Sequence, residues 1–164
     1  MTAWTFSRRK FSTAISGGLG LTVLGISNHA FAKDSALPVP TSLSEVAKQA
    51  AAKGEPLVLL ISLPGCPYCE EVRRNYLLPM RAGGLQAWQI TVNDKLQKLL
   101  DFNGQASSGA ALAAKWKIRV TPTVLFFDVR GTGIAARLEG ISTDFYGAYL
   151  YGALDAARQR LKNN

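Results

Sequence analysis

Leu57-Val58-Leu59-Leu60-Ile61-Ser62-Leu63-Pro64-Gly65-Cys66-Pro67-Tyr68-Cys69 is the stretch on which the fold turns. Leu57 to Ile61 is a short, unbroken apolar run, with Pro56 before it and Pro64-Gly65 after it. Such a run reads as a strand from Pro56 to Ser62, buried on both faces. Pro64 to Cys69 is a turn, and a helix follows from Cys66 to about Met80, with Val72, Tyr76 and Met80 on one stripe. Pro79 should kink or end it. Cys66 and Cys69 are three residues apart at the first helical turn, so they face the same side. One turn supplies the Cα separation of about 4.4–6.8 Å that a disulfide needs. The helix start also offers unpaired N–H groups and the positive end of the dipole, and both favour a thiolate. Cys66, nearest those donors, reads as the nucleophile. Cys69, one turn inside, reads as the resolving thiol that attacks a mixed disulfide at Cys66.

Three other readings of the pair stand beside this one. A purely structural disulfide is common in exported proteins, but closing so short a loop removes little unfolded-chain entropy. Half of a metal site would need carboxylates or a second subunit to complete it. Two inert, buried thiols are the third.

Outward from this stretch, Ser42-Leu43-Ser44-Glu45 matches a capping box. A helix should run from there to about Lys53, with Gly54 just past its end. Downstream, Ala87 to Val92 reads as a strand, and Asn93 to Ser108 as a polar loop with a turn at Asn103-Gly104. Gly109 to Trp116 reads as a helix and Pro122 to Asp128 as a strand. Arg130 to Gly133 is a turn, and Ile134 to Glu139 a strand pairing back. Ser142 to Leu161 closes the chain as a helix, with Phe145, Tyr149, Leu150, Leu154 and Leu161 expected in the core. The order α-β-α-β-α-β-β-α predicts an α/β, three-layer fold: a central mixed sheet with helices on both faces.

The chain has 164 residues, 19 Lys+Arg against 11 Asp+Glu, two cysteines and one histidine. Its N-terminus holds Ser7-Arg8-Arg9-Lys10-Phe11, a nearly charge-free run from Ser12 to Ile26, and Ala30-Phe31-Ala32. This is the pattern of a cleavable export signal, cut after Ala32. Ser7, Arg8, Arg9 and Phe11 resemble a twin-arginine signal, while Ser12 and Thr13 depart from it, so the general secretory route also stays open. The expected organisation is a signal at 1–32, a lead-in at 33–41 and one domain at 42–164, in a periplasm. Removing residues 1–32 takes away Arg8, Arg9, Lys10 and His29, so the formal charge drops from +8 to +5. A His-free mature chain excludes Ser-His-Asp and Cys-His catalysis and every His-ligated metal. No basic run is interleaved with aromatics, so nucleic acid is not an expected partner. Gly131-Thr132-Gly133 is too short for a phosphate loop.

From Leu43 to Leu161 the sequence resembles the thioredoxin superfamily. The carriers are the strand into Cys66-Pro67-Tyr68-Cys69, the Thr121-Pro122 step, Phe126-Phe127-Asp128 with Gly131, and the terminal helix. The resemblance implies a cis Thr121-Pro122 bond against the two sulfurs, with Thr121 N–H and C=O free to pair with an extended substrate strand. It implies that Pro67 and Tyr68 tune the helix start and the contact surface. Where cytosolic thioredoxins carry Trp before the first cysteine, this chain has Gly65. Where they carry a buried Asp, it has Leu60, which leaves the base for Cys69 unassigned. Glu70 and Glu71 lie nearby and read as solvated helix charges.

Cys-Pro-Tyr-Cys itself resembles glutaredoxins, but Gly140-Ile141-Ser142-Thr143-Asp144 is a poor substitute for their glutathione-binding stretch. Asp101-Phe102-Asn103-Gly104 through Leu112, Trp116, Ile118 and Val120 resembles exported members found with bacterial sulfur-oxidation or cytochrome c maturation genes. The implied function is a monomeric thiol–disulfide oxidoreductase that reduces protein disulfides. Its electrons would come from a membrane-bound donor, and it needs no metal or organic cofactor. The alternatives are a glutaredoxin-like module binding glutathione or an iron–sulfur cluster, and a non-catalytic adaptor. Lys115, Lys117 and Arg119 alternate just before Thr121. They would give the site a positive edge that lowers the Cys66 pKa and attracts acidic partners; a merely solvated edge is the plainer reading.

Overall fold

The computed structural model describes residues 36–141 and 144–163. The elements below belong to one compact unit, Lys33–Asn164. The expected signal at 1–32 and its cut site lie outside the described residues, as do Ser142 and Thr143.

Helix α1 (Leu43–Ala51) begins where Ser42 Oγ accepts the Glu45 N–H at 3.4 Å. It buries Leu43, Val46, Ala47 and Ala50, a stripe at helical spacing. Strand β1 (Leu57–Ser62) is buried along its whole length. Val58 and Leu60 enter one core, while Leu57, Leu59 and Ile61 enter the other. Alternate residues of a strand face opposite ways, so a central strand covered on both sides must be apolar throughout. The sheet order is β2-β1-β5-β6, with β2 at Ala87–Thr91, β5 at Thr123–Phe127 and β6 at Leu138–Glu139. β2 runs parallel to β1, β5 runs antiparallel to β1, and β6 runs antiparallel to β5. Helices α1 and α4 (Gly109–Lys115) cover one face. The helix after Cys66 and α5 (Tyr146–Lys162) cover the other. The α/β fold with a mixed central sheet is the one the sequence predicts.

Pro79 does not end the second helix. The helix runs as α2 (Pro67–Val72), a π turn at Arg73–Leu77, and α3 (Leu78–Ala82). Leu78 N–H reaches Arg73 C=O, five residues back. Widening the helix just before Pro79 relieves the clash its ring would make with the carbonyl four residues earlier.

Other expectations are corrected. The loop 93–108 contains a short antiparallel ladder, β3 (Leu99–Leu100) with β4 (Ala106–Ser107). Of the strand expected over Ile134–Glu139, only β6 forms; a lone bridge joins Gly133 to Phe127. On α5, Tyr146, Leu150, Leu154 and Ala157 form the buried stripe, while Phe145 and Tyr149 are 65% and 58% exposed. Phe145 precedes the helix, and Tyr149 lies a turn beyond it on the same outer face. Leu37, in the lead-in, is 2% exposed and packs in the core. Pro38 C=O accepts the Gln89 N–H at 3.0 Å, so this segment pairs with the β2 edge.

Candidate active site

Strand β1 ends at Ser62, and the chain turns through Gly65, whose φ of 71° is left-handed. Cys66 is the N-cap of α2: its backbone is extended and its Sγ accepts the Cys69 N–H at 3.2 Å. Pro67 occupies the first helical position, where no N–H is required. Cys69 is fully buried, Cys66 is half-buried, and the two are joined in a disulfide with Cα atoms 5.3 Å apart. The pair therefore offers one sulfur to solvent and keeps the other beneath it.

The Thr121–Pro122 peptide is cis, and Pro122 is buried. Thr121 Oγ1 donates toward Cys66 Sγ at 3.9 Å, so the loop before β5 and the cap of α2 meet at this sulfur. Pro122 C=O accepts from Gly140 N–H at 2.8 Å, and Val120 C=O accepts from the Thr123 hydroxyl at 2.7 Å. Those bonds hold the loop in place. Tyr68 in the dithiol turn, Leu63 just before it and Val120 just before Thr121 are exposed apolar side chains. A cavity of about 340 Å³ lined by Lys53, Glu55, Leu154 and Arg158 lies at the other end of β1 and takes no part in the site.

Leu60 is fully buried and offers no base to Cys69. Glu70 is not simply a solvated charge: it forms an ion pair with Arg73 Nη1, and Arg74 Nε lies 3.6 Å from its other oxygen. Arg73 is itself buried, and its Nε donates to Gln89 Oε1 on β2 at 2.8 Å. The sequence reading passed over Arg73, although its place four residues after Cys69 puts it on the same helix face. Of the three alternating cations, Lys115 is paired: its Nζ donates to Asp101 Oδ2 at 3.1 Å. Among the described residues, no three His, Cys, Asp or Glu side chains converge into a metal-binding group.

A family described as a thioredoxin-like domain matches residues 43–145, more than half of the chain. The chain belongs to this thioredoxin-like family. Its fold is similar to solved structures at low identity. Thioredoxin O2 from Arabidopsis thaliana shares 14% identity, covering 73% of this chain and 96% of that one, with a TM-score of 0.49. A poplar thioredoxin h shares 18%, covering 70% and 95%, with a TM-score of 0.49. A thioredoxin-fold protein from Helicobacter pylori shares 18%, covering 81% and 96%, with a TM-score of 0.47. No curated protein matches the chain. Within a thioredoxin-like fold, the disulfide-forming Cys66-Pro67-Tyr68-Cys69 motif supports thiol–disulfide oxidoreductase activity.

Proposed function

We propose that this thioredoxin-like protein is an exported, periplasmic reductase of protein disulfides, of the kind found with sulfur-oxidation or cytochrome c maturation systems. The split in access between half-buried Cys66 and fully buried Cys69 carries the reading. In the reduced protein, the Cys66 thiolate attacks a substrate disulfide. The substrate S–S bond breaks, one substrate thiolate leaves and takes up a proton, and a mixed disulfide forms. Cys69 then loses its proton and attacks Cys66 Sγ, the second substrate thiol departs, and the Cys66–Cys69 disulfide remains. Two electrons have passed to the substrate, and a membrane-bound donor returns them. The Cys69 N–H and the Thr121 hydroxyl, both directed at Cys66 Sγ, stabilise its thiolate. Pro67 and Tyr68 shape the exposed turn, and Thr121-Pro122 orients the incoming chain. The protein acts as a monomer without metal or organic cofactor.

The test is insulin-disulfide reduction. Cys66→Ser should abolish it, and Cys69→Ser should accumulate a mixed disulfide. Unchanged turnover by Cys66→Ser overturns the reading. A Cys66/Cys69 potential near about −270 mV fits a reductase, and one near about −120 mV reverses the direction. Appearance of the full chain in the periplasmic fraction, shortened after Ala32, supports export; retention at full length in the cytoplasm overturns it.

A further inference from the structure

We propose that Lys117–Val120, the loop leading into Thr121, is a docking strip for an acidic segment of the partner protein beside its redox-active cysteine. The inference rests on the oxidoreductase reading above and adds to it the charge of the substrate.

From Phe102 to Phe127 the chain contains no Asp or Glu. Lys115 is taken up by Asp101. Lys117 and Arg119 are exposed and have no ion-pair partner among the described residues. Glu139, the acid on β6 paired opposite Thr123, is occupied by Arg137 at 2.9 Å, and Arg137 also donates to Trp116 C=O at 2.9 Å. The strip is therefore left with uncompensated positive charge.

A second observation is independent of charge. Lys117 has a φ of 54°, and among the described residues it is the sole non-glycine in the left-handed region. It follows α4, and the Ile118 N–H reaches back to Ala113 C=O at 2.9 Å. This is the helix-ending position that glycine fills most easily. A lysine there carries a backbone strain that glycine would avoid. Strain of this kind four residues before Thr121, which meets the reactive sulfur, points to a use for the side chain.

The reach is short. Arg119 precedes Thr121 by two residues and Lys117 by four, so their Cα atoms lie within about 7 Å and about 14 Å of Thr121. Thr121 in turn touches Cys66. Charges on a bound segment next to the reacting disulfide fall within or near the screening length of about 8–10 Å. Val120, 45% exposed, adds apolar contact between the cations and the sulfur. A strip that leads into Thr121, which meets Cys66, serves a partner bringing its own sulfur there, which favours an acidic polypeptide over a lipid surface.

The test uses the full chain, pre-reduced, with two disulfide-bridged peptides that differ only in having Asp or Lys beside the cysteines. Single-turnover reduction of the Asp peptide should be about tenfold faster at low salt, with the gap closing in 0.5 M NaCl as screening predicts. Lys117→Glu/Arg119→Glu should reverse the preference. Lys98→Glu, an exposed change outside the strip, should leave it unaltered. Equal rates for both peptides overturn the docking inference while the oxidoreductase reading stands. Reduction of neither overturns both. Equal rates together with variant-sensitive pelleting on phosphatidylglycerol vesicles would assign the strip to a lipid surface and overturn the acidic-segment proposal. Matching circular dichroism and melting curves establish that the double variant is folded.

Discussion

Asp128 is a buried acid at the turn after β5, and its surroundings pull its carboxyl in opposite directions. Burial works to raise the pKa, but the Thr132 N–H, the Arg130 side chain and the Arg130 N–H outweigh it and hold the group below 3.8. Asp101 is lowered as well, first by the Gln105 N–H against the opposing effect of burial, then by Lys115 and the Asn103 N–H. A carboxyl lowered in the folded state contributes stability above its unfolded pKa and loses it as pH falls through the folded value. Stability should therefore be flat above about pH 5 and fall below about pH 4. Asp128→Asn should lose about 1–3 kcal/mol at pH 7 and show a shallower acid limb, as read by urea unfolding at pH 7 and pH 3. Arg73→Ala should cost about 2 kcal/mol, because Gln89 and Glu70 lose their partner inside the fold. The same urea titration checks it, and a variant as stable as the parent would contradict the tie between the active-site helix and β2.

At the scale of elements, the pieces legible in sequence were those whose signal is local and repeated. The β1 run, the Ser42 cap of α1 and the cysteine-capped helix each rest on several adjacent residues that agree. What was missed has no such pattern: β3 and β4 are two residues each, and their pairing depends on the Asp101 turn between them. The π turn answers a proline that sequence rules read as a kink or a helix end. Phe145 and Tyr149 fit the helical spacing but lie on the outer side, because Tyr146, Leu150 and Leu154 already fill the stripe facing the sheet. The end of α4 gives an element-scale prediction. Lys117→Gly should raise stability by about 0.5–1 kcal/mol by relieving the left-handed backbone. Thermal unfolding of the full chain reads this; a lower melting temperature would mean that the lysine is held there by its own packing.

At the scale of the whole unit, two apolar cores are separated by one sheet, and the strand before the cysteines belongs to both. The lead-in contributes to one of them. Leu37→Ala should therefore cost about 2–3 kcal/mol in urea unfolding; a neutral result would show that residues before Thr41 are dispensable to the fold. The sequence by itself determined the α/β order and the dithiol at a helix start, because these depend on residue types at fixed short spacings, while the Thr121-Pro122 step was implied by the resemblance. Only the tertiary structure decided that Arg73 is buried and that Lys115 is paired with Asp101 while Lys117 and Arg119 stay exposed. Access and charge pairing depend on what folds against a side chain, and spacing along the chain carries no record of that.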